Sequence, residues 1–320
     1  MPESDTYSIE TRALSRYYGP VRAVDALNLA VRKGEIFAFL GPNGSGKTTT
    51  IKMLCGLLAP TSGDALVAGK SVVREPEKVK EHIGYMSQFF SFYTDLTVEE
   101  NLKFYSDIYL LDPKGTRKRM DDLMGWLGLG PYQRTPARAL SGGWKQRLAL
   151  ACSIIHTPEI VFLDEPTSGV DPYSRRKIWD LIRYLASQRF TMFVTTHFIE
   201  EAENCDRIGI IAEGKLVAVD TPQGLKEHAE LGHVFQIATD DARHVRELAA
   251  ATEGVLDASL TAGGVKILTV HRDYDSARVS AALAAKGAPG LSIGPASPTL
   301  EDVYIMLASK HLPPAAVPRL

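Results

Sequence analysis

The chain has 320 residues, of which 45% are hydrophobic and 23% charged, and its 36 Lys and Arg against 38 Asp and Glu leave a formal net charge of −2. At about 150 residues per domain this length predicts two domains, and the composition excludes a disordered chain, a collagen and a coiled coil. The near-neutral balance argues against a protein whose main partner is a nucleic-acid backbone, because such proteins usually carry a basic excess.

No apolar run approaches the roughly 18–20 residues needed to cross a bilayer, so the sequence predicts no membrane-spanning segment. The start of the chain, residues 1–10, lacks the basic and apolar stretches of a secretory signal, which predicts a protein that stays in the cytoplasm. Cys55, Cys152 and Cys205 form no CxxC pair and are expected to be free thiols rather than a metal or disulfide framework.

Short apolar runs alternate with helical patterns over about the first 225 residues. The runs lie at residues 36–40, 160–163, 191–195 and 208–211. This pattern predicts the buried strands of a mainly parallel sheet with crossover helices. A further run at 216–219, after Glu213-Gly214, predicts an antiparallel hairpin that closes the domain.

The composition changes near residues 221–224, after which the chain is richer in alanine. The predicted order is then a strand at 234–238, a helix at 242–251, a hairpin around Gly263-Gly264, a helix at 276–286, a strand at 291–293 and a helix at 300–308. This order predicts a small α+β ferredoxin-like domain of the split β-α-β kind. The predicted boundaries are 6–236 for the first domain, 237–309 for the accessory domain and 310–320 for a flexible tail.

A glycine-rich segment follows the first buried run and precedes a helical pattern at 48–58. It fits the phosphate-loop pattern G-x-x-x-x-G-K-[ST] at every fixed position. The residues of the pattern are Gly41, Pro42, Asn43, Gly44, Ser45, Gly46, Lys47 and Thr48, and Thr49, which follows them, is also predicted to bind the nucleotide. Glycines let backbone amides face phosphates, and the helix N-terminus adds a positive dipole end. Lys47 would neutralise phosphate charge, and Thr48 would place its hydroxyl on Mg²⁺. An ordinary glycine-rich turn explains the glycines but not Lys47-Thr48.

An acidic pair, Asp164-Glu165, ends the buried run at 160–163. We predict that Asp164 reaches Mg²⁺ and that Glu165 acts as the general base toward the attacking water. A strand that ends in Asp-Glu often marks only an exposed loop. Its pairing with a phosphate loop favours the functional interpretation.

Between these two motifs lies Leu140-Ser141-Gly142-Gly143-Trp144, which opens an apolar helical stretch. Ser141 suits a helix N-cap, and the two glycines let amides approach an anion. Together with the phosphate loop and the acidic pair, this segment resembles the LSGGQ signature of ATP-binding cassette (ABC) transporter ATPase subunits, with Trp144 in place of the usual glutamine. The resemblance implies an α/β P-loop NTPase cassette: a mainly parallel sheet core, an antiparallel β part and a helical insert at about 89–155.

The same resemblance assigns roles to further residues. Tyr18 matches the aromatic residue that stacks on adenine, although a surface tyrosine at a turn is an alternative. Gln88 matches the glutamine that reaches Mg²⁺ and the attacking water, and His197 the switch histidine at the γ-phosphate. Asp171 matches the loop that communicates across the dimer, and with Pro172 it also suits a helix N-cap and first position.

In this family each site combines the phosphate loop of one protomer with the signature of another. One cassette per chain therefore implies a second cassette, either a copy of this chain or a related one, with ATP and Mg²⁺ bound between them. The resemblance further implies a separate membrane permease subunit, a peripheral location at the cytoplasmic face of the inner membrane and no nucleic-acid partner. The permease would dock on the helical insert, where Thr97 and Glu100 form a capping box. The aromatic residues that follow Gln88 would either line that docking groove or pack in the core: Phe89, Phe90, Phe92 and Tyr93.

The segment at 298–304, where Thr299 suits a helix N-cap, resembles the ending of ATPase subunits of drug-efflux, daunorubicin-resistance-like exporters. It implies ATP-driven export of a drug-like or other small substrate. The alternative is a non-transport ABC ATPase acting on nucleic acid or ribosomes. The stretch from Lys47 to Asp164 has no room for the long coiled coil of DNA-tethering members, and the second cassette and basic linker of ribosomal members are missing from the sequence. An unrelated P-loop kinase or GTPase would leave residues 141–143 unexplained.

Overall fold

The computed structural model describes residues 6–227, 232–270 and 273–311. The chain divides into two compact units, Met1–Leu216 and Val217–Leu320. This division comes earlier in the chain than the boundary predicted after residue 236. The predicted boundary would cut the strand at Val234–Ala238, which pairs with two strands of the second unit, whereas the division after Leu216 falls within the strand Lys215–Asp220. Within the described residues, no helix is both long enough and apolar enough to cross a bilayer.

The elements of the first unit begin with four consecutive strands, and the last strand of the series extends past Leu216, where the unit ends. Their order is β1 (Tyr7–Tyr18), β2 (Val21–Leu27), β3 (Ala30–Arg32), β4 (Ile36–Leu40), α1 (Lys47–Leu54), β5 (Ser62–Val67), β6 (Lys70–Ser71), α2 (Pro76–His82), β7 (Ile83–Met86), α3 (Val98–Ile108), α4 (Pro113–Trp126), α5 (Gly142–Ile154), β8 (Ile160–Asp164), α6 (Pro172–Ser187), β9 (Thr191–Thr196), α7 (Ile199–Ala202), β10 (Arg207–Ala212) and β11 (Lys215–Asp220). Short 3-10 helices lie at Gly130–Tyr132 and Ala137–Ala139.

The central sheet has six strands in the order β11-β10-β4-β9-β8-β7, and the pairs from β10 to β7 are parallel. The four predicted apolar runs form β4, β8, β9 and β10, and every residue of β4, β8 and β9 is buried. Phe37, Phe39 and Phe162 each pack against Phe193 in this sheet, with ring centroids 5.5 Å from the centroid of Phe193. Because these strands are parallel, their carboxyl ends meet at one edge of the sheet, where ligands of such folds bind.

A second, five-stranded sheet has the order β2-β1-β5-β6, with β3 paired to β1, and β1 pairs antiparallel with each of its neighbours. It is the antiparallel β part implied by the family resemblance, for which no strand bounds were predicted. Strand β1 is irregular, with register shifts along its pairing with β2. Such bulges interrupt the two-residue alternation by which a strand is recognised in a sequence.

The helical insert contains α3, α4 and α5, within the predicted range of 89–155. Helix α3 begins with the predicted capping box, in which the Thr97 hydroxyl accepts from the Glu100 amide and the Glu100 carboxylate accepts from the Thr97 amide. Helix α1 ends at Leu54, earlier than the predicted 58. Gly56 follows at φ +66°, a left-handed conformation that ends helices, so Leu58 lies outside the helix.

Beyond the end of β11, the second unit follows the order α8 (Pro222–Lys226), β12 (Val234–Ala238), α9 (Ala242–Ala250), β13 (Val255–Thr261), β14 (Gly264–Thr269), α10 (Ser276–Ala285), β15 (Ser292–Pro295) and α11 (Leu300–His311). The sheet order is β13-β14-β12-β15, with every neighbouring pair antiparallel, which is a split β-α-β arrangement. Its core joins the sheet to α9 and α10 through Ile237, Val245, Ile267, Val279 and Leu283.

Helix α11 begins at the predicted cap. The Asp302 amide donates to the Thr299 hydroxyl, and the Thr299 amide donates to the Asp302 carboxylate, at 3.2 and 2.8 Å. Asp302 is also paired with Lys266 of β14 at 2.6 Å, which ties the helix to the sheet. The helix continues through His311, so residues 310–311 are helical rather than part of the predicted tail, and residues 312–320 of that tail lie outside the described residues.

Candidate nucleotide-binding site

The glycine-rich loop joins the carboxyl end of β4 to the first turn of α1. Gly46 occupies the N-cap position at φ +105°, and a Cβ there would lie 2.2 Å from the carbonyl oxygen of Ala23. A Cβ at Gly41 would lie 2.4 Å from the carbonyl oxygen of Ile211. Only glycine fits at these two positions, because neighbouring backbone fills the space where a side chain would stand. The loop is thus held against β2 and β10 with its amides at a helix N-terminus, an arrangement that suits an anion.

Lys47 lies beneath this loop and is 5% exposed. Its Nζ donates to the carbonyl oxygens of Gly41 and Pro42 at 2.8 and 3.1 Å, and lies 3.5 Å from Oε1 of Glu165. Burial lowers the pKa of Lys47, and the neighbouring Glu165 opposes that shift. The ammonium is therefore fixed in the loop, with its carboxylate partner on the adjoining strand end.

Asp164 is the last residue of β8 and is 1% exposed. Its Oδ1 accepts from the hydroxyls of Thr195 and Thr48, at 2.7 and 3.2 Å. Burial raises the pKa of Asp164 above its usual value, and the two hydroxyls oppose the shift. Among the described residues, its other oxygen, Oδ2, is buried without a hydrogen-bond partner. A carboxylate with an unsatisfied oxygen beside a threonine hydroxyl fits a hard cation such as Mg²⁺, which prefers oxygen ligands.

Glu165 is 8% exposed and meets the other predicted polar residues of the site. Gln88 donates from Nε2 to its Oε2 at 3.2 Å, and Nδ1 of His197 lies 3.3 Å from its Oε1 without an aligned hydrogen bond. The backbone of Glu165 has φ +51°, a left-handed conformation that costs about 1–2 kcal/mol for a residue with a side chain. Its amide is held by Thr195 of β9, through both the carbonyl and the hydroxyl oxygen.

These residues enclose a polar cavity of about 310 Å³. The predicted site residues among its lining are Asn43, Gly44, Gly46, Lys47, Thr48, Thr49, Gln88 and Glu165, and Ala23 of β2 completes it. The hydroxyl oxygen of Ser45 is buried nearby without a hydrogen-bond partner in the described chain. The sheet therefore gathers side chains from segments that are far apart in the sequence, because the ends of β4, β7, β8 and β9 adjoin.

Tyr18 and residues 141–143 are not among the residues described as lining this cavity. Tyr18 ends β1 and is 47% exposed, and the guanidinium of Arg16 lies 4.7 Å from the centre of its ring. Its predicted stacking on adenine stays a prediction. Ser141 holds the N-cap position of α5, as predicted, although its side chain makes no cap hydrogen bond.

The start of α5 lies beside the start of α6. A Cβ at Gly143 would lie 2.9 Å from Oγ of Ser174, and the Asp171 carboxylate accepts from the Ser174 amide at 2.9 Å, as its predicted role as N-cap requires. Trp144 packs at 4.4 Å between ring centroids on Tyr132, and its ring lies 4.5 Å from the Arg147 guanidinium. In this chain the residue at the usual glutamine position is therefore part of the packing of the helical insert.

Thr195 and Ala23 belong to this site but were not among the predicted residues. Thr195 holds both Asp164 and the Glu165 amide. The run Thr195-Thr196 just before His197 was its available signal, since polar residues ending a buried strand face the same edge as the acidic pair. Ala23 contributes a backbone position next to Gly46, and the sequence carries no signal for that.

The variant Asp164→Asn is expected to raise the melting temperature of the nucleotide-free protein by about 2–4 °C, the shift for about 1 kcal/mol in a domain of about 200 residues. The folded-state pKa of Asp164 is raised, so its stabilising contribution is complete below the ordinary pKa of 3.8 and is lost as pH rises toward the raised value. At neutral pH the buried charge is therefore a cost, which asparagine removes. Calorimetry at pH 7 measures the shift, and a fall in melting temperature would contradict it.

The chain is similar to proteins of known family. A family model described as ABC transporter matches residues 24–168. The chain is 50% identical over 218 residues to the probable multidrug ABC transporter ATP-binding protein YbhF of Escherichia coli. The aligned residues cover 68% of this chain and 38% of that protein. It is 39% identical over 283 residues to the daunorubicin/doxorubicin resistance ATP-binding protein DrrA of Streptomyces peucetius, covering 88% of this chain and 82% of that protein.

Among solved structures, a dimeric bacterial ABC transporter cassette matches with a TM-score of 0.62 and 26% identity, covering 67% of this chain and 98% of that one. The chain spans 38% of the length of YbhF, whereas it spans most of DrrA. The implied P-loop cassette fold is confirmed by this structural match.

Proposed function

The chain belongs to the ABC transporter family, and from that premise we propose that it binds ATP with Mg²⁺, hydrolyses the ATP, and thereby powers export through a separate membrane subunit. The observation that carries this proposal is the convergence of Lys47, Gln88 and His197 on the carboxylate of Glu165, beneath a glycine loop at a helix N-terminus. A cation, an amide and an imidazole around one carboxylate suit both the binding of a triphosphate and the activation of water beside it.

The proposed reaction is in-line transfer of the γ-phosphoryl group to water. Loop amides and Lys47 hold the β- and γ-phosphates, and Thr48, Asp164 and Gln88 would hold Mg²⁺, which supplies charge neutralisation on the phosphate oxygens. Glu165 accepts a proton from the attacking water as its oxygen bonds to phosphorus and the bond to ADP breaks. His197 donates a hydrogen bond to the γ-phosphate as negative charge develops.

The site is completed by a second cassette. Residues 141–143 lie at the start of α5, which is an anion-binding position, yet in the described chain they do not line the cavity of their own phosphate loop. We propose that the Ser141 to Gly143 segment of one chain closes the ATP bound to the other, with Asp171 in the contact. The dimeric state of the related cassette supports this arrangement.

The experiment that tests this function measures phosphate release and association together. Purified protein is given ATP with Mg²⁺ or with EDTA, and its mass in solution is followed by sedimentation. The proposal expects Mg²⁺-dependent hydrolysis and an ATP-dependent dimer that dissociates as ATP is consumed. Failure to bind ATP, or hydrolysis that does not depend on Mg²⁺, would contradict it.

We propose that the membrane subunit docks on the groove of the helical insert, defined here by two adjoining cavities that share Leu96 and Phe104. The larger, of about 670 Å³, lies along α3, and the smaller, of about 350 Å³, is bordered by Tyr93. The residues that precede this groove in the sequence directly follow Gln88, and the Gln88 side chain donates to the Glu165 carboxylate. A partner bound in the groove would therefore contact a segment that adjoins a residue of the candidate site.

The aromatic residues after Gln88 divide between surface and core. Phe89 is 83% exposed and Tyr93 packs edge-on against Phe104, whereas Phe92 is 5% exposed and stacks on Phe90 at 5.1 Å. Phe92 is therefore a core residue, and its replacement would test stability rather than docking. Phe89, Phe90 and Tyr93 keep exposed surface that a partner can cover, and Tyr93 also lines the groove.

The variant Tyr93→Ala is expected to lose at least about tenfold in recovery of the membrane subunit by co-purification, since Tyr93 lines the groove and truncating an aromatic anchor costs about 2 kcal/mol or more. Leu110→Ala is the matched control, because Leu110 is an exposed apolar residue of the same insert that is not among the lining residues of either cavity. Equal recovery with both variants would place the docking surface elsewhere.

For the cargo we propose a drug-like or other small molecule, because DrrA is named for daunorubicin and doxorubicin resistance and resembles this chain over most of its length. Export assays in membranes that contain the chain and its permease, with daunorubicin as the fluorescent probe, test the assignment. Dye accumulation that does not change when the chain is removed would contradict it. A non-transport ABC ATPase acting on nucleic acid or ribosomes is not favoured by these relatives.

A further inference from the structure

A buried carboxylate lies next to the site but is not used by the reaction above. Glu201 is on the short helix α7 and is 3% exposed. Its Oε2 accepts from the Thr196 hydroxyl at 2.8 Å, and its Oε1 accepts from the Thr167 hydroxyl and lies 3.5 Å from Nε of Arg175. Two hydroxyl donors and a guanidinium are the partners that an ionised carboxylate requires when it is removed from water.

Each partner of Glu201 belongs to a different functional segment. Thr196 immediately precedes His197, and its carbonyl oxygen accepts from the Gly41 amide of the phosphate loop at 3.3 Å. Thr167 belongs to the turn that follows Glu165. Arg175 is in the first turns of α6, the helix that Asp171 caps. Glu201 thus accepts hydrogen bonds from residues next to His197 and Glu165, and it is ion-paired with the helix that follows residues 168–171, here called the Asp171 loop.

Arg175 links helix α6 to the residues around His197 by a second contact besides its ion pair with Glu201. Its guanidinium also lies 4.3 Å from the ring centre of Phe198, the residue after His197. A displacement of α6 would therefore act on the histidine segment through Phe198 and through Glu201. The Asp171 loop at the start of α6 is exposed, so a second cassette can reach it.

We propose that Glu201 is a positioning residue that fixes His197 relative to Glu165 and couples both to the Asp171 loop. The proposal rests on the ATP hydrolysis proposed above. When a second cassette presses on the Asp171 loop, Arg175 moves with α6, and Glu201 carries that movement to Thr196 and Thr167. The geometry of base and histidine then depends on whether the partner is in place.

The test compares Glu201→Gln with Glu200→Gln in the full-length protein. The amide keeps the shape of Glu201 but loses its charge and one acceptor, whereas Glu200 is an exposed neighbour on the same helix. We expect kcat to fall by about 10–100-fold in Glu201→Gln, the range for misplaced reacting groups, with the KM for ATP within about twofold. The Hill coefficient for ATP should fall toward about 1. Glu200→Gln should match the parent protein.

A second pair of variants keeps the test valid if Glu201→Gln does not fold. Thr167 is 1% exposed and its hydroxyl bonds to Glu201, so Thr167→Val removes that bond at nearly constant volume, and Thr167→Ser keeps it. We expect the valine variant to lose kcat and the serine variant to retain most of it. An unchanged kcat and Hill coefficient in Glu201→Gln or Thr167→Val would overturn the proposal, as would equal losses in valine and serine variants. A parent protein without ATPase activity would instead refute the proposed function.

Discussion

Glu165→Gln is expected to reduce ATP hydrolysis by about 10²–10⁴-fold, the usual contribution of a general base, while ATP affinity stays within about twofold. Glutamine has nearly the shape of glutamate but accepts no proton at neutral pH. Lys47 is also held by the carbonyl oxygens of Gly41 and Pro42, so it should stay in the loop and binding should persist. With hydrolysis blocked, the ATP-bound dimer should accumulate, which sedimentation with ATP and Mg²⁺ detects.

Glu213→Gln is the matched control for this variant. Glu213 is an exposed glutamate with φ +47°, close to the φ of +51° at Glu165, so it tests whether glutamine is tolerated in a left-handed backbone. We expect the control to hydrolyse ATP at the parent rate. Normal turnover in Glu165→Gln would remove Glu165 as the base. Blocked turnover with ATP bound but no accumulated dimer would remove the assumption that hydrolysis opens the complex.

Lys47→Met is expected to weaken ATP binding by at least about 100-fold, equivalent to about 2.8 kcal/mol for a lost charge-assisted contact to phosphate. It should also destabilise the nucleotide-free protein. Glu165 would keep a buried charge without its cation, and breaking a buried ion pair costs about 3–5 kcal/mol. Lys52→Met, an exposed lysine later in α1, is the control for the chemical change itself. Isothermal titration and calorimetry measure the two effects.

The double variant Lys47→Met with Glu165→Gln separates these two effects. Because neutral glutamine needs no cation, thermal stability should recover most of what Lys47→Met lost, whereas ATP binding should stay weak. If the double variant is no more stable than Lys47→Met alone, the Lys47–Glu165 pair is not the origin of the loss. If it binds ATP normally, Lys47 does not hold the phosphates.

The parts of the site that consist of contiguous residues could be predicted from the sequence. The phosphate loop and the acidic pair each combine a buried strand with polar residues at its end, and parallel strands bring such ends together. Strand β7 was missed because Gly84 lies within it. A Cβ at Gly84 would lie 2.1 Å from the carbonyl oxygen of Ser153, so the close approach of α5 requires the residue that weakens the strand pattern.

Side-chain surroundings were less predictable than the elements. Phe89 and Phe92 have the same side chain in one aromatic run, yet one is exposed and the other buried. No period was available, because the run lies in a loop and not in a helix or strand. Glu201 was missed for a related reason: a glutamate near a helix start is usually solvated, and only the fold brings Thr167 and Arg175 to it.

The left-handed backbone of Glu165 has an entropic consequence. Asp164 and Glu165 are adjacent, and in a continuing strand their side chains would point to opposite faces of the sheet. The turn at φ +51° redirects the second carboxylate instead, so the backbone itself aims the base toward the phosphate loop. The ordering of that side chain is thus completed when the protein folds. Each catalytic cycle then begins with a base that has little conformational freedom left to lose, and the folded state carries the strain permanently.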